Sequence, residues 1–176
     1  MAKKRVFSLL SYSFFTCYID DVFAIFPDSE TAHLYVTKFN SFDPSIKFEA
    51  ITVSDSGIML DLELLLIPHP TLHDSLIIKH KTYQKPINIY QYIPTISNHN
   101  PSIFSKFVLQ EIKRYRLSCT DDIDYTQIAT DFRIRLCSRG YPTDIFEKAF
   151  PLVPPRHLLL APLLPNYQLL VPTHKP

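Results

Sequence analysis

The hydrophobic pattern of this chain changes period partway along, and that change constrains its fold more than any other feature. Up to Thr82 the apolar residues fall mostly into short runs of strand length ended by turn residues, with one helical interval. From Pro101 to Phe150 they recur at helical spacing. Strands first and helices second predict an α+β chain. The expected fold is a small antiparallel palm-like sheet carrying one helix, followed by a helical, helix-turn-helix-like module.

The individual elements follow from local chemistry. Residues 18–26 read as a hairpin with Asp20-Asp21 at its turn. Asp28 or Ser29 can cap a helix running to about Phe42, with Ala32, Tyr35, Val36, Phe39 and Phe42 at helical spacing. A strand is expected over 46–52, a turn at Asp55-Ser56-Gly57, and a second strand over 58–67 with Asp61 and Glu63 on one face. A third strand is expected over 75–80. Lys85-Pro86 and Pro94 then lie in a polar link rich in tyrosine. Asn100 and Pro101 suit the start of a helix whose stripe is Phe104, Phe107, Val108, Ile112 and Tyr115. Asp121 or Asp122 starts another, with Ile123, Ile128, Phe132 and Leu136 inward and Gly140 as its C′ residue. Pro142 opens a third, short helix ending near Phe150. The organisation predicted is a partial palm over 1–82, a helical module over 83–150, and an irregular tail over 151–176, because many of the fifteen prolines fall late.

Composition narrows the class. Three cysteines, with no C-x-x-C pair, argue against a disulfide scaffold and suit a reducing compartment. Cys17 and Cys137 are expected as small buried apolar residues rather than nucleophiles. No stretch reaches the roughly 18 apolar residues of a membrane span. Lys3-Lys4-Arg5 before an apolar stretch imitates a signal peptide, but no small-x-small cleavage site follows. An intracellular protein, nuclear or cytoplasmic and not secreted, is therefore expected.

Net charge is +1, yet it is unevenly spread. Residues 1–78 hold five basic and ten acidic residues, a net of −5. Residues 79–116 hold Lys79, Lys81, Lys85, Lys106, Lys113, Arg114 and Arg116 against Glu111 alone, a net of +6. Such a block, interleaved with Tyr83, Tyr90 and Tyr92, suits contact with phosphates; its bland alternative is a solvated face. His69 and His73 are four apart, but Pro68 and Pro70 disfavour the helix that would let them share a metal. No glycine-rich phosphate loop and no G-x-S-x-G motif is present.

Tyr18-Ile19-Asp20-Asp21 carries the sharpest chemistry. Adjacent aspartates at a tight turn between apolar strands present carboxylates at a sheet edge. Hard Mg²⁺ ions take such oxygens, and paired ions can activate a hydroxyl and steady a leaving pyrophosphate. The bland alternative is a solvated Asp-Asp turn.

The order of motifs along the chain is more specific than those four residues. After the Tyr18–Asp21 motif come Ile46-Lys47-Phe48, Leu60-Asp61-Leu62, Tyr83-Gln84-Lys85-Pro86, Ser97-Asn98-His99, Arg135-Leu136-Cys137-Ser138 and Arg139-Gly140-Tyr141-Pro142. This series resembles the Penelope-like retroelement reverse transcriptases, over roughly Tyr18 to Leu160. Cys17, Ile87 and the displaced Asn100-Pro101 depart from the family pattern. The resemblance implies RNA-directed DNA polymerisation by two-metal nucleotidyl transfer. Asp20 and Asp21 would hold Mg²⁺ and Tyr18 would pack near the primer end. The seven cations of 79–116 would lie on the thumb side and grip a template–primer duplex non-specifically, with no obligate protein partner and no membrane. It also implies that the first metal-binding aspartate and the fingers lie upstream of the hairpin. The expectation is a truncated reverse transcriptase, inactive alone. The alternatives are a non-enzymatic helix-turn-helix nucleic-acid-binding protein, and a secreted or unrelated α+β protein in which the aspartates are incidental.

Overall fold

A computed structural model of the chain describes residues 14–43, 45, 47–48, 54–72 and 75–160. The fold is α+β, and it divides into two compact units, Met1–Ile78 and Lys79–Pro176. Each is built on its own aromatic cluster.

In the first unit, β1 (Phe14–Tyr18) and β2 (Asp21–Ile25) form an antiparallel hairpin in the register Phe14↔Ile25 to Tyr18↔Asp21. Helix α1 (Ser29–Phe42) follows. Its N-cap is Asp28, whose Oδ1 accepts from the Thr31 amide at 2.7 Å. That backbone bond holds the Asp28 carboxyl below the usual carboxylate range. The inward face of α1 buries Ala32 and Tyr35. Tyr35 lies among Phe15, Phe26 and Phe39, with ring centroids 6.2, 5.2 and 6.4 Å away. Phe39 stacks on Phe48 at 4.3 Å. The Asn40 amide brackets the Phe48 backbone, its Oδ1 accepting from the Phe48 N–H at 2.8 Å and its Nδ2 donating to the Phe48 carbonyl at 3.4 Å. Apart from Lys47 and Phe48, the strand expected over 46–52 lies outside the described residues.

The single strand expected over 58–67 is instead a hairpin. β3 (Ser56–Met59) and β4 (Leu62–Pro68) pair antiparallel with Met59 opposite Leu62, so that Leu60-Asp61 is a two-residue turn. Leu60 carries φ +56°, a left-handed value normally left to glycine in such turns. Gly57, expected in a turn with positive φ, lies within β3. Asp61 and Glu63 therefore do not share one strand face. β5 (Leu76–Thr82) is third in the sheet order β3-β4-β5, and it straddles the division between the units. The strands thus make two sheets, not one.

In the second unit, residues 83–100 contain no helix or strand. Helix α2 (Pro101–Ser118) begins at the Asn100 cap, whose Oδ1 accepts from the Ser102 amide at 3.0 Å. Helix α3 (Asp122–Ser138) follows. It ends in a Schellman motif, with Tyr141 N–H donating to Leu136 O and Gly140 N–H to Cys137 O, both at 3.0 Å. Gly140 supplies the left-handed φ of +79° this requires. Helix α4 (Thr143–Ala149) completes the trio. Val108, Ile112, Tyr115, Ile128, Ala129, Phe132, Leu136, Tyr141 and Phe146 form the core. Ile123, expected inward, is 84% exposed, because it lies in the first turn of α3 at the rim of that core. Residues 151–160, expected to be irregular, contain the end of a 3₁₀ turn (Phe150–Leu152) and helix α5 (Arg156–Leu160).

Burial pushes the Tyr92, Tyr115, Tyr125 and Tyr141 hydroxyls up from their ordinary pKa, Tyr115 farthest. A tyrosine raised in the folded state contributes stability below its unfolded pKa of about 10 and loses it as pH rises toward the folded value. The unfolded chain ionises first, so alkali pulls the helical unit apart. Far-ultraviolet circular dichroism and tyrosinate absorbance recorded together are expected to change in step above about pH 10.5. Full tyrosinate absorbance with the helices intact would disprove this.

Candidate functional site

The β1–β2 hairpin sets out the motif residues one by one. Tyr18 ends β1 and Asp21 opens β2 directly opposite it, so those two side chains share a face of the ribbon. Ile19 and Asp20 are the two turn residues. Asp20 and Asp21 are both exposed, as is Tyr18 at 56%. The hairpin and the exposure of both carboxylates are as expected, but the turn falls one residue earlier than Asp20-Asp21: pairing of Tyr18 with Asp21 leaves Ile19-Asp20 as the turn and places Asp21 on β2.

The backbone at this turn is strained. Ile19 has φ +56° and is 85% exposed. A β-branched residue in the left-handed region costs about 1–2 kcal/mol and persists only where its surroundings impose it. Pairing of five residues on either side imposes it here. The same device recurs at Leu60. The left-handed residue alone therefore does not single out Asp20-Asp21; the adjacent carboxylates do. Ile19→Gly is expected to stabilise the hairpin, relief of strain outweighing glycine's extra chain entropy by about 0.5–1 kcal/mol. Amide exchange across β1 and β2 should slow severalfold, and faster exchange in the variant would refute the strain.

Two carboxylates on successive residues suit a hard cation, but they are few for two. Among the described residues no group of three or more His, Cys, Asp or Glu side chains could hold a metal ion. His69 is occupied otherwise, since its Nδ1 accepts from the Thr71 and Leu72 amides at 3.2 and 3.0 Å. His73 lies outside the described residues. Cys17 and Cys137 are exposed rather than buried; Cys119 is the buried cysteine. Cys17 lies next to the exposed hairpin turn, one residue before Tyr18, and Cys137 lies in the last turn of α3 beside the buried Leu136.

The basic block is partly neutralised within its own unit. Lys79 pairs with Asp121 at 2.7 Å and Arg114 with Glu111 at 2.6 Å. Arg116 pairs with Asp122, lies 4.8 Å over the Tyr125 ring, and has a side chain only 13% exposed. Lys81 makes a further interaction of its own. Lys85, Lys106 and Lys113 have no ion pair among the described residues. Lys106 and Lys113 are seven apart on α2, two turns along one face, about 10 Å from each other.

The structure also joins motif residues whose connection sequence reasoning missed. Arg135, on α3, donates from Nε to the Tyr92 hydroxyl at 3.2 Å and from Nη1 to Gln84 Oε1 at 3.1 Å. Its guanidinium lies 4.3 Å over the Tyr90 ring. Arg139 donates to the Ile89 carbonyl at 2.7 Å, and the Tyr141 hydroxyl to the Ile93 carbonyl at 2.5 Å. Arg135, Arg139 and Tyr141 thus strap the irregular link to the end of α3. The segment Arg139-Gly140-Tyr141-Pro142 both closes the helix and holds the link.

A scan against protein-family models, a search of curated proteins and a search of solved structures each found no match. No helix among the described residues is long and apolar enough to cross a membrane.

Proposed function

We propose that the chain is a portion of a retroelement reverse transcriptase, comprising a palm hairpin and the helical region that follows it. By itself it does not polymerise DNA, but it keeps non-specific affinity for nucleic acid. The observation that supports the reading is the pair of adjacent exposed carboxylates at the end of a hairpin, Asp20 in its two-residue turn and Asp21 at the start of β2. Asp20 and Asp21 would take Mg²⁺ through hard oxygen ligands, and the metal would supply charge neutralisation for nucleotidyl transfer. Residues 1–17 contain no aspartate or glutamate, and no third carboxylate joins the pair among the described residues. Two carboxylates of one hairpin hold two ions loosely, so primer extension with Mg²⁺ is expected to stay at background. Extension that disappears in Asp20→Ala would overturn that expectation.

Binding would rest on Lys85, Lys106 and Lys113, since Lys79, Arg114 and Arg116 already have acidic partners. About three phosphate contacts give a log–log salt slope near −3 for a duplex. Neutralising those three lysines should weaken binding at low salt by about tenfold or more and flatten the slope. Binding indifferent to salt, or unchanged in the triple variant, would make the basic block a solvated surface.

A second reading, a non-enzymatic helix-turn-helix binder, has one observation in its favour. The glycine-containing segment 139–142 joins α3 to α4 as such motifs require. The exposed residues of α4 include Asp144 and Glu147, paired with Lys148 and Arg133. An acidic second helix is poorly suited to a major groove. Equal affinity for unrelated duplex sequences is expected, and strong preference for one would favour this reading.

A further inference from the structure

His80 sits where three segments of the helical unit meet. Its backbone pairs with the α2–α3 connection, the His80 N–H donating to Thr120 Oγ1 at 2.9 Å and the Thr120 N–H to the His80 carbonyl at 2.7 Å. Its ring makes two further contacts of opposite polarity. Nδ1 is 2.9 Å from the Ser118 carbonyl at the end of α2. Nε2 is 2.9 Å from Nη2 of Arg156, the first residue of α5. A carbonyl can only accept and a guanidinium can only donate. Nδ1 must therefore carry the proton and Nε2 must be bare, so both contacts exist together only in one tautomer of the neutral ring.

We propose that His80 and Arg156 form a proton-sensitive latch that holds α5 against the C-terminal end of α2, and that uptake of one proton by His80 opens it. The proton adds to Nε2, the atom that accepts from Arg156. The imidazolium then has N–H on both sides, and a second cation faces it at 2.9 Å. Arg156 loses its partner on the ring and, among the described residues, keeps a long bond from Nε to the Leu117 carbonyl, 3.4 Å. The Ser118 contact survives, because Nδ1 still donates. Opening is thus confined to α5 and leaves the α2–α3 core in place.

The surrounding charges fit this role. Lys79 and Lys81 flank His80 on β5, and Asp121 on the α2–α3 connection is engaged by Lys79 at 2.7 Å. Arg116 near the end of α2 is engaged by Asp122. No carboxylate on these elements is paired with His80 among the described residues, so nothing there compensates an imidazolium beside Arg156. His157 is the other titratable group on α5 and must be distinguished from His80.

Hydrogen exchange of the full chain, corrected for intrinsic rates, tests the latch at about pH 7.5 and about pH 5.5, either side of the range where histidine titrates. Protection of the Leu158 and Leu159 amides, which donate to the Pro155 carbonyl, is expected to fall about tenfold at the lower pH, while α2 and α3 keep theirs. Arg156→Met should be weakly protected at both values with no step between them. His80→Gln, which does not titrate, should lack the step, whereas His157→Gln should retain it. Equal wild-type protection at both values overturns the latch. So does a step that persists in Arg156→Met, or a loss that α2 and α3 share. Should His80→Gln fail to fold, Arg156→Met and His157→Gln still decide the matter.

Discussion

Phe132→Ala is expected to cost the helical unit about 3–5 kcal/mol, enough to remove much or all of the stability of a unit this size. Phe132 is wholly buried on α3. Four rings meet it in T-shaped contacts: Tyr92 at 5.5 Å, Phe107 at 6.1 Å, Tyr115 at 5.6 Å and Phe146 at 6.5 Å. Those rings come from the link, from α2 twice, and from α4, so one side chain ties the whole unit together. Truncation removes the burial of a large ring and opens a cavity that four stiff aromatics cannot collapse into. Phe132→Leu keeps much of the volume and should cost less than half as much. Urea unfolding followed by far-ultraviolet circular dichroism reads both. A loss below about 1.5 kcal/mol for the alanine variant would mean that the cluster is not the keystone of the unit.

Much of this architecture was legible in the sequence, and the failures have identifiable physical causes. Caps are local, so Asp28, Asn100-Pro101 and Gly140 marked helix ends correctly. The β3–β4 turn was hidden because Leu60-Asp61 contains no glycine, asparagine or proline, and strand pairing forces Leu60 left-handed. Two of the seven cations of 79–116, Lys79 and Arg116, looked unopposed because that interval stops short of Asp121 and Asp122, which engage them. The hairpin around Asp20 and Asp21 was readable from its flanking apolar residues, although its turn is Ile19-Asp20 and Asp21 already belongs to β2. Whether a third carboxylate joins it depends on long-range geometry that no local pattern reports. The same holds for the contacts of Arg135 with Gln84 and Tyr92, which span 51 and 43 residues.

Those contacts make Arg135 the second residue whose loss should be severe. Arg135→Ala is expected to weaken the attachment of the 83–100 link to α3 by about 2–4 kcal/mol. It removes two hydrogen bonds and the cation–π contact with Tyr90, and it strands Gln84 Oε1 and the Tyr92 hydroxyl in a half-buried site. Leaving a buried polar group without its partner costs more than the bond itself contributes. Arg135→Lys keeps the charge but cannot donate in two directions while lying flat on a ring, so it should recover less than half of the loss. The link should respond before the helices do. Chymotrypsin is expected to cut at Tyr90 and Tyr92 at least tenfold faster in Arg135→Ala, while α2 and α3 keep their amide protection in the absence of denaturant. A purely structural strap predicts that order. If cleavage is unchanged, the link is held by Arg139 and Tyr141 alone; if the helices lose protection at the same rate as the link, Arg135 belongs to the core and not to a strap.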